Sequence, residues 1–283
     1  MGTSTDTAPR LPPVAGSAIR MLALDLDGTL LDDTKQIRVR TAAALAELRL
    51  LGVKIVLASA RPPRSVRHVY AALQLDTWTV NYNGAMIWDE PRRLAVFHRP
   101  IKSETARQVI DLARGRYPEV QVSCEIMDRW FPDRLDPNVT TETGRLFTPD
   151  VVAPIDEFCT IPITKLLLLG DENRLVEIER LLVERFAGQL TMVRTEGNLI
   201  QIMDRRVSKG LAVRQVAEHY GLTMDQVMSI GDAPNDVGML QLSGIAVAME
   251  NGWDVCKQAA HWVAPSNNTD GVLAALRKFG LCE

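Results

Sequence analysis

Long apolar runs, paired cysteines, internal repeats and an excess of one charge are all missing from this 283-residue chain. Each absence removes a class of protein. No uninterrupted apolar stretch approaches the roughly 20 residues of a membrane-spanning helix. The longest candidate, Leu166 to Leu169, lies between Lys165 and Gly170. The four cysteines, Cys124, Cys159, Cys256 and Cys282, are too few for a disulfide scaffold of this length. None belongs to the C-x-x-C pair of a zinc or redox site, so they read as free, mostly buried thiols. The 32 Lys and Arg residues nearly balance 35 Asp and Glu, and a net charge of -3 leaves no field to gather polyanions. Nucleic acid is therefore a poor candidate partner, although single basic groups can still hold one phosphate. Aromatic residues make up 5%, and the Trp and Met positions form no stripe that would suggest a cofactor box. Core packing accounts for them.

What is present describes a globular chain, 46% hydrophobic and 24% charged, long enough for one large domain or two modest ones. The first 17 residues, MGTSTDTAPRLPPVAGS, hold three prolines and no apolar core of a signal peptide. Residues 1–18 are expected to form a disordered lead-in. With reduced cysteines and no export signal the expected address is cytoplasmic, which makes the Asn-x-Thr at Asn138 irrelevant to glycosylation.

Beyond the lead-in, apolar runs of strand length alternate with segments of helical period. Met21 to Leu26 is nearly continuous, as in a strand covered on both faces. Arg38 to Leu51 reads as a helix ended by Gly52, Val53 to Ala58 as a strand, Pro63 to Leu73 as a helix and Trp78 to Tyr82 as a strand. The alternation returns late. Ser208 to Tyr220, Pro234 to Leu242 and Gly271 to Phe279 read as helices, with strands at Val227 to Ile230, Ile245 to Met249 and His261 to Ala264. This is the pattern of a doubly wound α/β parallel sheet. Between them the strands are shorter and more polar, with candidates around Val120 to Ser123, Lys165 to Leu169, Leu190 to Thr195 and Leu199 to Met203. Two helices, Ser103 to Arg114 and Glu172 to Phe186, complete an α+β insertion. The expected division is a core of residues 19–84 plus 204–283 and an inserted cap of residues 85–203.

Chemistry concentrates at strand ends of the outer segments. Asp25-Leu26-Asp27-Gly28-Thr29-Leu30 follows the first strand, and carboxylates at i and i+2 project to one side of an extended chain. Gly28 lets the chain turn with backbone N–H groups facing whatever binds there. Two acids so close repel, and a divalent cation is the natural remedy. The plainer reading is a pair of solvated aspartates opening a turn. A calcium loop is excluded, because the twelfth position counted from Asp25 is Gln36 rather than glutamate. Gly231-Asp232-Ala233-Pro234-Asn235-Asp236 follows a second strand, and alone would be read as a helix cap. Two acidic strand ends in one sheet instead place three or four hard oxygen donors around one cation, as magnesium prefers. Ser59 at the end of the second strand and Lys209 at a helix start are weak signals singly. Beside a carboxylate-bound cation, a hydroxyl and an ammonium make a site for a phosphoryl group.

This set resembles the haloacid dehalogenase (HAD) superfamily, in its Cof-type phosphatase branch with a large inserted type IIB cap. The resemblance runs from about Ile19 to Phe279. It is strengthened by Asn83-Gly84-Ala85, Val207-Ser208-Lys209-Gly210 and Ala248-Met249-Glu250-Asn251. It implies that Asp25 is the nucleophile that becomes an aspartyl phosphate, and that Asp27 is the acid and then the base. Magnesium would be held by the Asp25 carboxylate, the Asp27 carbonyl and Asp232, with Asp236 in or near its shell. Ser59, Lys209, Asn235 and backbone near Gly28 would hold the phosphoryl oxygens, with Arg61 and Asn83 as further substrate contacts. The family's usual Thr-Gly-Arg-Pro is here Ser59-Ala60-Arg61-Pro62, which keeps the hydroxyl, and Ala233 stands where asparagine is common.

The expected activity is a magnesium-dependent phosphatase acting on a small phosphorylated metabolite, a sugar phosphate first. The alternatives are a phosphomutase on the same scaffold and a catalytically silent phosphate-ligand-binding protein. The expected assembly is a monomer or homodimer with no membrane partner. Glu125, Asp128, Arg129 and Trp130, in a polar and aromatic run, are candidate cap contacts, each with a surface loop as the plainer reading.

Overall fold

The computed structural model describes residues 18–137, 139, 144 and 147–283. The expected lead-in up to residue 17 and the Asn138 sequon lie outside the described residues. The strands are β1 (Met21–Leu24), β2 (Lys54–Leu57), β3 (Thr79–Asn81), β4 (Met86–Asp89), β5 (Leu94–His98), β6 (Gln121–Ile126), β7 (Arg129–Pro132), β8 (Lys165–Leu169), β9 (Leu190–Glu196), β10 (Leu199–Asp204), β11 (Val227–Gly231), β12 (Ile245–Met249) and β13 (Trp262–Ala264). The α-helices are α1 (Val39–Leu50), α2 (Pro63–Ala72), α3 (Ser103–Arg116), α4 (Ile155–Phe158), α5 (Glu172–Phe186), α6 (Lys209–His219), α7 (Val237–Leu242), α8 (Asp254–Ala259) and α9 (Gly271–Lys278). The chain divides into two compact units, residues 18–61, 66–94 and 208–283 forming the first and residues 62–65 and 95–207 the second.

The first unit is built on a parallel sheet in the order β13-β12-β11-β1-β2. Leu22 faces Met228 on one side and Ile55 on the other, so β1 is central and all four of its residues are buried. That double burial is why the strand reads as an unbroken apolar run. Alternate residues of β12 divide between two cores: Ile245, Val247 and Met249 pack with residues of α1, α2 and α9, whereas Ala246 and Ala248 pack with α7 and α8. Helix α1 buries Thr41, Ala44, Leu45 and Leu48, the spacing that puts one stripe of a 3.6-residue period against the sheet. Gly52, at φ +87, then turns the chain into β2. The chain winds from β1 to β2 on one side and from β11 to β13 on the other. The switch point of this doubly wound α/β sheet is therefore the β1/β11 pair.

The second unit is α+β, with an antiparallel sheet in the order β7-β6-β8-β10-β9. Val122, Cys124, Ile126, Leu166, Leu168, Ile200 and Ile202 turn to one face and share a core with α3 and α5. Helix α5 contributes Leu175, Ile178, Leu182 and Phe186, and Asp171 caps its start by accepting from Arg174 N–H. Burying each such side chain contributes about 1.5–3 kcal/mol. The intervening residues Ser123, Glu125, Lys165 and Gln201 lie at the alternate positions of the same strands. Of the four candidate cap contacts for which a surface loop was the plainer reading, Arg129 and Trp130 belong to strand β7 and Glu125 to β6; Trp130 is buried and donates from Nε1 to Ser123 Oγ at 2.5 Å. Pairing with β6 turns this short polar segment into a strand. Glu125 is buried on β6 and Arg129 is exposed.

Candidate active site

Four loops of the first unit converge at the carboxyl ends of its strands. Asp25 directly follows β1, and its N–H donates to Ile230 O at 3.0 Å, which fixes it beside β11. Asp232 directly follows β11. Carboxylate oxygens of Asp25, Asp232 and Asp236 all lie within 4.8 Å of one another. Gly28 makes this closeness possible: at φ +81 its backbone passes where an added Cβ would meet Asp232 Oδ2 at 2.5 Å. Next to it, Thr29 Oγ1 donates to Asp232 Oδ1 at 2.8 Å, and Asn251 Nδ2 donates to the Gly28 carbonyl at 2.8 Å.

Lys209 closes the group. Ser208 caps α6 by accepting from Leu211 N–H, and Gly210 lacks the Cβ that would strike the Gly238 backbone, so α6 lies close against α7. The Lys209 ammonium, fully buried, stands 2.7 Å from Asp25 Oδ1 and 2.5 Å from Asp236 Oδ1. The other oxygen of Asp236 accepts from Asp232 N–H and Ala233 N–H, both at 3.0 Å. Asp236 thus orders the loop that carries Asp232 as well as orienting the lysine.

The electrostatics follow from this crowding. Burial, outweighing the Lys209 cation and reinforced by Asp236 and Asp232, pushes the Asp25 carboxyl well above the ordinary range. Burial also raises Asp232 to about 6, with Asp236 adding to the shift. Burial opposes the charge of Lys209, but Asp236 and Asp25 hold its pKa above the usual lysine value. Three acids share one buried cation, a donor set of hard oxygens short of positive charge, which fits a divalent ion such as magnesium.

Asp27 faces a different environment. Arg61 grips it with Nε to Oδ2 at 2.6 Å and Nη2 to Oδ1 at 2.5 Å, and Lys35 Nζ reaches Oδ1 at 2.7 Å. Burial alone would raise its pKa, but Arg61 and then Lys35 bring it below the ordinary carboxylate value. Ser59 lies beyond β2, buried, with its hydroxyl accepting from Arg61 N–H at 3.1 Å. Asn83, at φ +57, donates its N–H to Ser59 O, and its side-chain oxygen accepts from Asn235 Nδ2 at 2.8 Å.

The structure therefore brings Asp25, Asp232, Asp236 and Lys209 into one cluster, with Gly28 against it. Asp27 with Arg61, and Asn235 with Asn83, form neighbouring pairs. Sequence reasoning missed Thr29 and Lys35. Threonine in the Asp-Gly-Thr run was a visible signal, whereas Lys35 had none beyond its charge.

Comparison with known proteins agrees with this architecture. A family model described as haloacid dehalogenase-like hydrolase matches residues 22–276. The 5-amino-6-(5-phospho-D-ribitylamino)uracil phosphatase YitU of Bacillus subtilis (strain 168) is 27% identical over 262 residues, covering 92% of this chain and 97% of its own. Phosphatase YwpJ of the same organism is 26% identical, over 90% of this chain and 97% of its own. A crystal structure of a haloacid dehalogenase-like hydrolase from Bacteroides thetaiotaomicron superimposes with a TM-score of 0.82 at 25% identity, covering 92% of this chain and 99% of that one. The chain belongs to the haloacid dehalogenase-like hydrolase family. No helix among the described residues is long and apolar enough to cross a membrane.

Proposed function

We propose that this hydrolase is a magnesium-dependent phosphatase of small phosphate monoesters, sugar or polyol phosphates foremost, working through an aspartyl phosphate on Asp25. Phosphatase activity is what its family membership and its phosphatase relatives support. The observation that carries the mechanism is the buried Lys209 ammonium between Asp25 and Asp236 at the switch point of the sheet. A carboxylate is a weak nucleophile toward an anionic ester unless positive charge meets the phosphoryl oxygens. Lys209 supplies one such charge. Asp25, the Asp27 carbonyl and Asp232, with Asp236 at the edge, are the groups to hold magnesium, which when bound neutralises phosphoryl charge.

In the first step an Asp25 oxygen attacks phosphorus and the ester bond breaks, with Asp27, which must first be protonated against the pull of Arg61 and Lys35, giving that proton to the departing alkoxide. In the second, Asp27 takes a proton from water, which attacks the same phosphorus and restores Asp25 as inorganic phosphate leaves. Ser59, Asn235 and the backbone at Gly28 are assigned to the phosphoryl oxygens, and Arg61 and Asn83 to the substrate beyond them. We assign leaving-group selection to the second unit, the inserted cap. A relative named for a phosphorylated ribityl compound supports polyol phosphates as the first class to test.

The test is inorganic phosphate release from a panel of phosphate monoesters with magnesium. Turnover of a sugar or polyol phosphate that vanishes in Asp25→Asn is expected. Absence of turnover on every ester, or turnover indifferent to Asp25→Asn, would sink the reading.

A further inference from the structure

The loop that carries Asp232 is closed by bonds among its own residues. Asp236 Oδ2 accepts from the N–H groups of Asp232 and Ala233, both at 3.0 Å, and the Asp236 N–H donates to the Ala233 carbonyl at 2.8 Å. These bonds shape the turn from within. Its position beside Asp25 is set by bonds that reach it from other elements. Thr29 and Lys209 supply two of them, to Asp232 and to Asp236, from inside the acidic cluster.

Two more come from the start of α8. The Trp253 N–H donates to the Asp232 carbonyl at 2.8 Å, and the Cys256 thiol donates to the Ala233 carbonyl at 3.0 Å. Successive carbonyls of the loop are therefore tied to one helix, the first through its backbone and the second through a side chain. Gly252 lets that helix come so near, since an added Cβ there would meet Asp232 Cα and O, each at 2.8 Å. Cys256 itself is fully buried and packs with Leu240, Ala246, Ala248 and Ala260. Close packing on that side leaves its sulfur little room to turn away from the loop. The plainer role for such a cysteine is that of a small apolar filler. A filler would not need to spend its one donor on the peptide that follows Asp232.

We propose that Cys256 is a positioning residue for Asp232, holding the loop of that acid in place beside Asp25 through the Ala233 carbonyl. The inference rests on the magnesium-dependent phosphatase reading, in which Asp232 is a group that holds the ion. The thiol touches no group assigned to the ester. Its removal should therefore change how tightly magnesium is held and leave ester recognition as it was.

The experiment measures magnesium binding to substrate-free protein by titration calorimetry, with steady-state kinetics alongside, in wild type, Cys256→Val, Cys256→Ala and Cys256→Ser. Valine keeps the bulk without the donor, alanine removes both, and serine keeps a donor. The Val and Ala variants are each expected to raise the Kd for magnesium roughly threefold to tenfold, the effect of losing one neutral hydrogen bond. KM for the ester should hold, and kcat should return at saturating magnesium. Cys256→Ser should bind magnesium as wild type does. Val and Ala variants with wild-type magnesium affinity, whatever their melting temperatures, would overturn the inference while leaving the phosphatase reading intact. A Ser variant weakened as much as the Ala variant would do the same, because packing rather than the donor would then be responsible. A wild type that binds no magnesium, or releases phosphate from no ester, would remove both.

Discussion

Lys209 and Asp236 form an ion pair with Nζ 2.5 Å from Oδ1 and neither side chain reaching solvent. Charges are rarely placed so deep unless each is compensated, and here Asp25 supplies the second contact to the ammonium. Lys209→Met would leave Asp236 and Asp25 crowded without their cation. The expected loss of stability is about 3–5 kcal/mol, the usual effect of removing one partner of a buried pair. Turnover should fall by about two to three orders of magnitude, as for loss of one preorganised donor to developing charge. Chemical denaturation and steady-state kinetics read the two effects separately. Stability within 1 kcal/mol of wild type, on the order of a surface substitution, would show that the pair does not hold the loop.

Gly28 offers a cleaner dissection because Gly52 provides a matched control. Both glycines have positive φ, +81 and +87, but an added Cβ at Gly28 meets Asp232 Oδ2 at 2.5 Å while at Gly52 it meets nothing within 4 Å. Each alanine variant should lose about 1–2 kcal/mol from the left-handed backbone. Gly28→Ala alone should also displace Asp232 and lower kcat/KM at least tenfold, on the order of one misplaced catalytic contact. Equal activity in the two variants would mean that the close approach to Asp232 has no bearing on catalysis.

The parts of this molecule that were legible in its sequence are those with strong local causes. Strands β8 and β12 and helix α5 run over the expected residues, because an apolar run between polar ends or a long apolar stripe has one stable reading. Strands β4 and β7 and helix α8 were not read. Arg129–Pro132 becomes a strand only because β6 offers it a partner, and α8 is less than two turns with no side-chain cap at its start. The acidic cluster was visible because its residues stand at strand ends with fixed spacing. The Lys35 contact was not, since it depends on a left-handed backbone and a tight turn that no periodicity encodes.

At the proposed magnesium site metal and protons would compete for the same carboxylates, Asp232 among them. Its folded pKa of about 6 lies above the ordinary value of 3.8, so in metal-free protein its protonation favours the folded state as pH falls through 6. Magnesium held as proposed would bind the ionised form. Its stabilisation of the fold, which follows occupancy of the native state alone, should therefore be full above about pH 7 and shrink as pH drops toward 5. Thermal melts with magnesium and with chelator test this, the chelated protein remaining folded because the ion serves chemistry rather than the core. A magnesium shift that grows at acid pH would contradict the assignment, and Asp232→Asn should abolish it at every pH.

His98 gives the second unit a pH response of the opposite sign. Its Nε2 lies within hydrogen-bond distance, 2.9 Å, of Thr164 Oγ1, a hydroxyl that also accepts from Met127 N–H at 2.8 Å. Burial disfavours the charged ring and depresses its pKa below the model-peptide value of 6.5. A histidine with a depressed folded pKa binds fewer protons folded than unfolded. Its stabilising contribution is complete above 6.5 and is lost as pH falls through the unfolded value toward the folded one. His98→Gln keeps a hydrogen-bond partner for Thr164 but cannot titrate. Its melting temperature should fall less than that of wild type between about pH 7 and pH 5.5, when both are measured with chelator so that the metal site contributes equally. Parallel curves for the two proteins would show that His98 is not the group responsible.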